Sequence, residues 1–204
     1  MIITTICGNQ NYLQRGTNLK EIIEFRWHGR GGQGAWTASE LLARTALKEG
    51  KYIQSFPEFG PERMGAPVAA FTRISDKPIR IHCAVYKPDV VVVLDPTLMK
   101  TVPVGSGLID DGIIIVNSTE SPAKVRETLK TEKGTLWVIP ATEIALNILG
   151  LPITNTALLG TVAKATNIVS LETIEQTVKE RFRADIAEKN FAVIQKAYQE
   201  AKQA

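Results

Sequence analysis

The chain is poor in the residues that carry redox or hydrolytic chemistry. It holds two cysteines, Cys7 and Cys83, and no Cys-x-x-Cys pair. An iron–sulfur cluster normally takes four thiolates, so this chain cannot hold one alone. A disulfide between the two is disfavoured in a reducing compartment, and both thiols are expected to be buried and inert. Ser-His-Asp order, zinc spacing and a Gly-Asp-Gly run of the thiamine type are all missing from the sequence. Lys plus Arg exceeds Asp plus Glu by 24 − 21 = 3, too little for the dense basic stripe of a nucleic-acid binder. No window approaches the roughly 18 apolar residues that a membrane span needs. The start, Met1-Ile2-Ile3-Thr4-Thr5-Ile6-Cys7, lacks the basic n-region and long apolar run of a signal peptide, so a cytoplasmic location is expected.

What is present is globular. The chain has 204 residues, 44% hydrophobic and 22% charged, which suits one α/β domain and leaves no compositional sign of disorder. Residues 1–21 read as an N-terminal extension and 22–204 as a single α/β domain. The apolar segment 22–28 reads as a first strand, and the glycine-rich run Gly29-Arg30-Gly31-Gly32-Gln33-Gly34 follows it. A helix over 33–49 comes next, with Trp36, Leu41, Leu42, Thr45 and Ala46 on one face and Gly50 as its positive-φ terminator. A short second strand is expected at 51–54. Residues 68–74 and 79–83 then flank Ser75-Asp76-Lys77-Pro78 as a hairpin. The runs 89–95, 112–117 and 135–139 are apolar throughout, as strands buried on both faces are. Ser121 and Pro122 announce a helix between the last two. From residue 141 onward the pattern is helical: 143–149 closed by Gly150, then 155–165, 171–182 and 185–203. In the last of these Ile186, Phe191, Ile194, Ala197 and Tyr198 lie on or near one face. The expected fold is an open, mostly parallel, doubly wound (Rossmann-like) sheet with a β-hairpin insertion and a helical C-terminal end.

Three readings of the glycine run stay open. Strand, glycine turn and helix together aim backbone N–H groups and a helix dipole at one spot, which suits an anion. The glycines could instead only let the first helix pack close to the first strand, or they could meet a partner chain. A dinucleotide site also wants an acidic residue at the tip of strand two. Here that strand ends Gln54-Ser55 and Phe56 follows, with Glu58 already in the loop, so a full NAD or FAD site is disfavoured. The loop 55–67 carries Phe56, Glu58, Phe59, Glu62, Arg63 and Gly65, which suggests a surface that something else covers. His28 beside the glycine run reads as a hydrogen-bonded structural histidine rather than a ligand. Asp95 reads as a helix cap, Asp110-Asp111 as a turn, and His82-Cys83 as neighbours on opposite faces of a strand.

Together, Gly29-Arg30-Gly31-Gly32-Gln33-Gly34, the run from Ser55 through Phe56, Glu58, Phe59, Arg63 and Gly65 to Pro67, and Asn155-Thr156-Ala157-Leu158-Leu159-Gly160 closely resemble the gamma subunit of 2-oxoacid:ferredoxin oxidoreductases, with the pyruvate synthase branch nearest. The likeness runs in order and spacing over residues 22–200. It implies a subunit of an enzyme that decarboxylates a 2-oxoacid on thiamine diphosphate, passes electrons through [4Fe-4S] clusters to ferredoxin, and forms acyl-CoA. It also implies alpha, beta and delta partner subunits that carry those cofactors, leaving none bound by this chain alone. The isolated chain would then be inactive, with a structural, assembly or site-edge role and no catalytic residue. The residues it singles out for an anion or subunit contact are Gly29, Gly31, Gly32, Gln33, Gly34, Phe56, Glu58, Phe59, Arg63, Gly65, Asn155 and Thr156. The glycine run taken alone supports a different function, a stand-alone Rossmann-type nucleotide-binding protein.

Overall fold

A computed structural model describes residues 21–58 and 65–204. The first strand, β1 (Ile22–Arg30), leads through the glycine turn into α1 (Ala35–Lys48). After α1 come β2 (Tyr52–Pro57) and β3 (Pro67–Ser75), then β4 (Val90–Val93) and a 3-10 turn at Pro96–Lys100. The chain continues through β5 (Ile113–Asn117), α2 (Pro122–Leu129) and β6 (Thr135–Ile139). It ends in four helices, α3 (Ala141–Leu149), α4 (Asn155–Thr166), α5 (Leu171–Arg181) and α6 (Ala184–Glu200), and a two-residue strand, β7 (Lys202–Gln203). The strands form one sheet in the order β2-β3-β1-β4-β5-β6-β7. β1, β4, β5 and β6 are parallel neighbours, while β3 and β7 run antiparallel to theirs.

Alternation along the central strands divides the core. Phe25 and Trp27 of β1 with Val90 and Val92 of β4 face α1 and the C-terminal helices. Val91 and Val93 face the other way, towards Leu98, Met99, Val125 and Leu129. All four valines of β4 are fully buried, as the uninterrupted apolar run predicts. The helix signals hold as well. Ser121 accepts from the Lys124 N–H with Pro122 at the first helical position, and Gly50 follows α1 with φ 81°.

Several expectations are corrected. No strand forms over 79–83. The hairpin pairs β2 with β3 instead, from Tyr52↔Ser75 to Pro57↔Ala70. β3 has β1 on its other side, so neither of its edges is free, and Pro78 offers no N–H. Ser55, Phe56 and Pro57, assigned to the loop by sequence, extend β2. Cys83 is exposed rather than buried, on the irregular segment that replaces the expected strand, and His82 beside it is exposed too. Cys7 lies outside the described residues. Trp36 is 56% and Ile186 41% exposed, so neither shares the buried face of its helix.

Gly160 sets the closest helix crossing. A β-carbon there would stand 2.3 Å from the Ile194 carbonyl oxygen of α6. Gly160→Ala gains about 1 kcal/mol of helix propensity but forces two packed helices apart. Urea denaturation is expected to show a net loss of about 1–3 kcal/mol; an unchanged or raised midpoint would contradict this packing.

Candidate functional site

β1 and β4 end side by side, and the chain leaves them on opposite faces of the sheet: α1 on one, the 3-10 turn on the other. This is the switch point of a doubly wound sheet, where such folds form a crevice at the carboxyl ends of the strands. Asp95 stands at the tip of β4. As expected it caps the following turn, its Oδ1 accepting from the Thr97 N–H at 2.9 Å. Its Oδ2 reaches back to the glycine run, accepting from Arg30 Nε at 3.0 Å and Gln33 Nε2 at 2.9 Å. Burial works to raise the Asp95 pKa. Hydrogen bonds from Thr97 and Gln33, with the Arg30 charge, outweigh it and hold the carboxyl below its ordinary range.

Gln33 is fixed at both ends, because its Oε1 also accepts the Arg30 N–H at 2.7 Å. The turn is tied to the start of β3 as well. Gly31 N–H donates to the Ala66 carbonyl at 2.9 Å, Gly65 N–H to the Gly31 carbonyl at 3.2 Å, and Arg30 Nη1 to the Gly65 carbonyl at 3.1 Å. The glycines then do different things. A β-carbon at Gly29 would stand 3.2 Å from Ala35 Cβ, so this position does serve close strand–helix packing. Gly34 caps α1 in the left-handed region, φ 79°, and a β-carbon there would lie 2.6 Å from Asn155 Nδ2. Asn155 is 7% exposed and Thr156 fully buried. Thr156 Oγ1 donates to Asn190 Oδ1 at 3.1 Å, which anchors the start of α4 on α6.

The three sequence motifs therefore meet at one edge: Gly29, Gly31, Gly32, Gln33 and Gly34, then Gly65, then Asn155 and Thr156. Phe56 is half-buried at the end of β2, where it packs on Phe71 at 5.2 Å beneath the Arg73 guanidinium. Glu58 is exposed just after β2. Phe59 and Arg63 lie outside the described residues. Two open hollows flank Gly32 and Gln33. One of about 530 Å³ runs along Asp95, Thr97, Asn117 and Thr142. The other, about 500 Å³, runs between Asn155, Arg181 and Lys189. Sequence reasoning missed Arg181 and Lys189, because nothing local to α5 or α6 marks which way those side chains face.

The nucleotide criterion also changes. In a dinucleotide fold, strand two lies beside strand one. Here antiparallel β3 takes that place, with Pro67 opposite Arg30, and β2 is one strand farther out. The missing acid thus reflects a different neighbour for β1 as well as a different residue.

The chain matches the family model described as pyruvate ferredoxin/flavodoxin oxidoreductase over residues 24–200. The chain belongs to this family. Within it the likeness is to gamma subunits. A pyruvate/ketoisovalerate oxidoreductases common subunit gamma of Thermococcus kodakarensis is 59% identical over 177 residues, 87% of this chain and 96% of that one. A pyruvate synthase subunit PorC of Methanocaldococcus jannaschii is 46% identical over 88% of this chain and 97% of its own length. The crystal structure of the pyruvate oxidoreductase subunit PORC of Thermotoga maritima superposes with TM-score 0.83 at 42% identity, covering 91% of this chain and 99% of that one. The chain is thus a gamma-type subunit of a multi-subunit 2-oxoacid oxidoreductase, and a stand-alone nucleotide-binding protein is not favoured. No helix among the described residues is long and apolar enough to cross a membrane.

His28 of this gamma-type subunit is structural, as its sequence position suggested. It is 8% exposed, and its Nε2 accepts from Arg26 Nε at 3.0 Å, so the ring is neutral. Burial, then the Arg26 charge, push its pKa down to about 3, against a smaller opposing effect of a hydrogen bond to the Val104 main chain. Between the ordinary value of 6.5 and about 3, the unfolded chain takes up a proton that the folded chain refuses. The contribution is therefore complete above pH 6.5 and is lost as pH falls towards 3, at up to about 1.4 kcal/mol per pH unit. His28→Gln is expected to flatten the acid limb of a stability-against-pH curve by up to that slope. Parallel curves for the two proteins would contradict the assignment.

Proposed function

We propose that this chain is the gamma subunit of a pyruvate-type 2-oxoacid:ferredoxin oxidoreductase, and that its own part in the enzyme is assembly. The enzyme would oxidatively decarboxylate the 2-oxoacid to acyl-CoA and reduce ferredoxin. Thiamine diphosphate, [4Fe-4S] clusters and coenzyme A would be held by the whole complex, with alpha, beta and delta chains as partners and the cytoplasm as the location. The observation that carries this reading is near full-length identity to named gamma subunits, 59% over 87% of the chain. The residues do not fit a cluster: two cysteines cannot supply four thiolates. A relative described as common to pyruvate and ketoisovalerate oxidoreductases supports putting the choice of 2-oxoacid on other chains.

The surface offered to the partners is the edge built from Gly31 to Gly34, Gly65 and Asn155. The Asp95 contacts and the β3 bonds hold it rigid before assembly, which lowers the ordering cost of docking. A tagged chain expressed at native level is expected to bring down chains carrying thiamine diphosphate and [4Fe-4S] clusters. That eluate should reduce ferredoxin only with both 2-oxoacid and coenzyme A present. A chain that elutes alone, with the activity left in the flow-through, would overturn the proposal.

A further inference from the structure

The hollow beside Gly34 has the character of an anion receptor, and that character comes from four separate elements. α1 begins there with no side-chain cap and no acidic residue in its first turn. α4 begins there in the same way, with no side-chain cap at Thr154 and no acid in its first turn. An ordinary helix start satisfies its orphan N–H groups with a Ser, Thr, Asp or Asn side chain and favours an acid nearby. Here two helix starts meet, neither with an acid in its first turn, and α1 starts with no side-chain cap.

Asn155 supplies the independent sign. Its side chain is more than nine-tenths buried, and its Oδ1 accepts the Thr156 N–H at 2.8 Å. That bond fixes the amide so that its Nδ2 end points over Gly34, 2.6 Å from where a β-carbon would be. Nδ2 has no hydrogen-bond partner among the described residues, although every fully buried side-chain polar atom among them is satisfied. Its two N–H donors therefore open into the hollow. Arg181 and Lys189 line the same space, and no carboxylate among the described residues pairs with either. None of the lining residues is acidic.

The rim is apolar. Leu151, Ile153 and Ile186 line the hollow at 55%, 41% and 41% exposure. A positive, donor-rich floor inside a ring of exposed aliphatic side chains suits a protein segment better than a small polar anion, which would leave that ring in water. Asn155 also fills the space over Gly34, at the α1 N-terminus where a phosphate would have to sit.

We propose that this hollow receives an acidic side chain, flanked by apolar residues, from a partner subunit of the complex. Its carboxylate sits on Asn155 Nδ2 and the α1 N-terminus, with Arg181 and Lys189 beside it. The inference rests on the gamma-subunit reading above and deepens it by naming what the edge holds.

The test co-expresses tagged full-length chain with its partner subunits and measures assembly against ionic strength. Three chains are compared: wild type, Arg181→Glu/Lys189→Glu, and the remote control Lys133→Glu. Both substituted lysines and the arginine are on exposed positions, and circular dichroism checks that each chain stays folded. Arg181→Glu/Lys189→Glu is expected to weaken assembly at least tenfold and to remove most of its salt dependence, while Lys133→Glu matches wild type. Asn155→Asp, which keeps the shape and the Thr156 bond but replaces the two donors with a charge, is expected to weaken assembly in the same direction. Wild-type assembly with all variants equal to it would overturn the inference and leave the gamma-subunit reading standing. Failure of the wild type to assemble would overturn that reading itself. A site that binds inorganic phosphate or coenzyme A in the isolated chain, is lost in the variants and leaves assembly untouched would also overturn the inference.

Discussion

The candidate site depends on one carboxylate. Asp95 sits at the tip of the most deeply buried strand, and its two oxygens accept from Arg30, Gln33 and Thr97. These contacts cross the line where α1 and the 3-10 turn part to opposite faces of the sheet. A glycine run has the least resistance of any sequence to changing its backbone conformation. Here it is held because Gln33 and Arg30, which interrupt the glycines, both reach the same charged acceptor. Charge-assisted bonds of this kind are stronger than neutral ones, and the partial burial of Asp95 reduces their screening by water.

The position of β3 explains the rest of the edge. Inserted antiparallel between β1 and β2, it starts at the glycine turn, so Gly65 and Ala66, just before it, lie opposite Gly31. α4 closes the other side, where Asn155 meets Gly34. Motifs some thirty and ninety residues apart in sequence thus become one surface. Their joint presence in a sequence is informative because each supplies a hydrogen bond or a contact that another needs.

Much of this was legible in the sequence, and the failures have physical causes. The buried strands β4, β5 and β6 were readable because short continuous apolar runs have few other uses in an α/β fold. The Ser121-Pro122 helix start and the Gly50 stop were readable because their chemistry is local. The position of Asp95 signals a cap, which it is, but its second oxygen serves a turn more than sixty residues away, and local pattern carries no trace of that. Alternation over 79–83 suggests a strand that does not form, because alternation shows that a segment could pair and says nothing about which edges are already taken. Cys83 came out exposed for the same reason. The packing of half-buried Phe56 on Phe71 and Arg73, both on β3, is equally invisible to local pattern. Arg181 and Lys189 could be found only in three dimensions.

On the proposed reading, this subunit serves the enzyme by fixing how its partner chains sit. That role asks for a rigid edge with unsatisfied donors and exposed aliphatic side chains, a combination that a free monomer gains nothing by keeping. Hydrogen–deuterium exchange on the chain alone and in the assembled complex tests this most directly. The account predicts strong protection on assembly at residues 30–37, 149–157 and 181–190. Exchange in those segments that is equally fast in both states, with protection appearing only at residues 76–87 on the irregular segment away from the glycine turn, would contradict it.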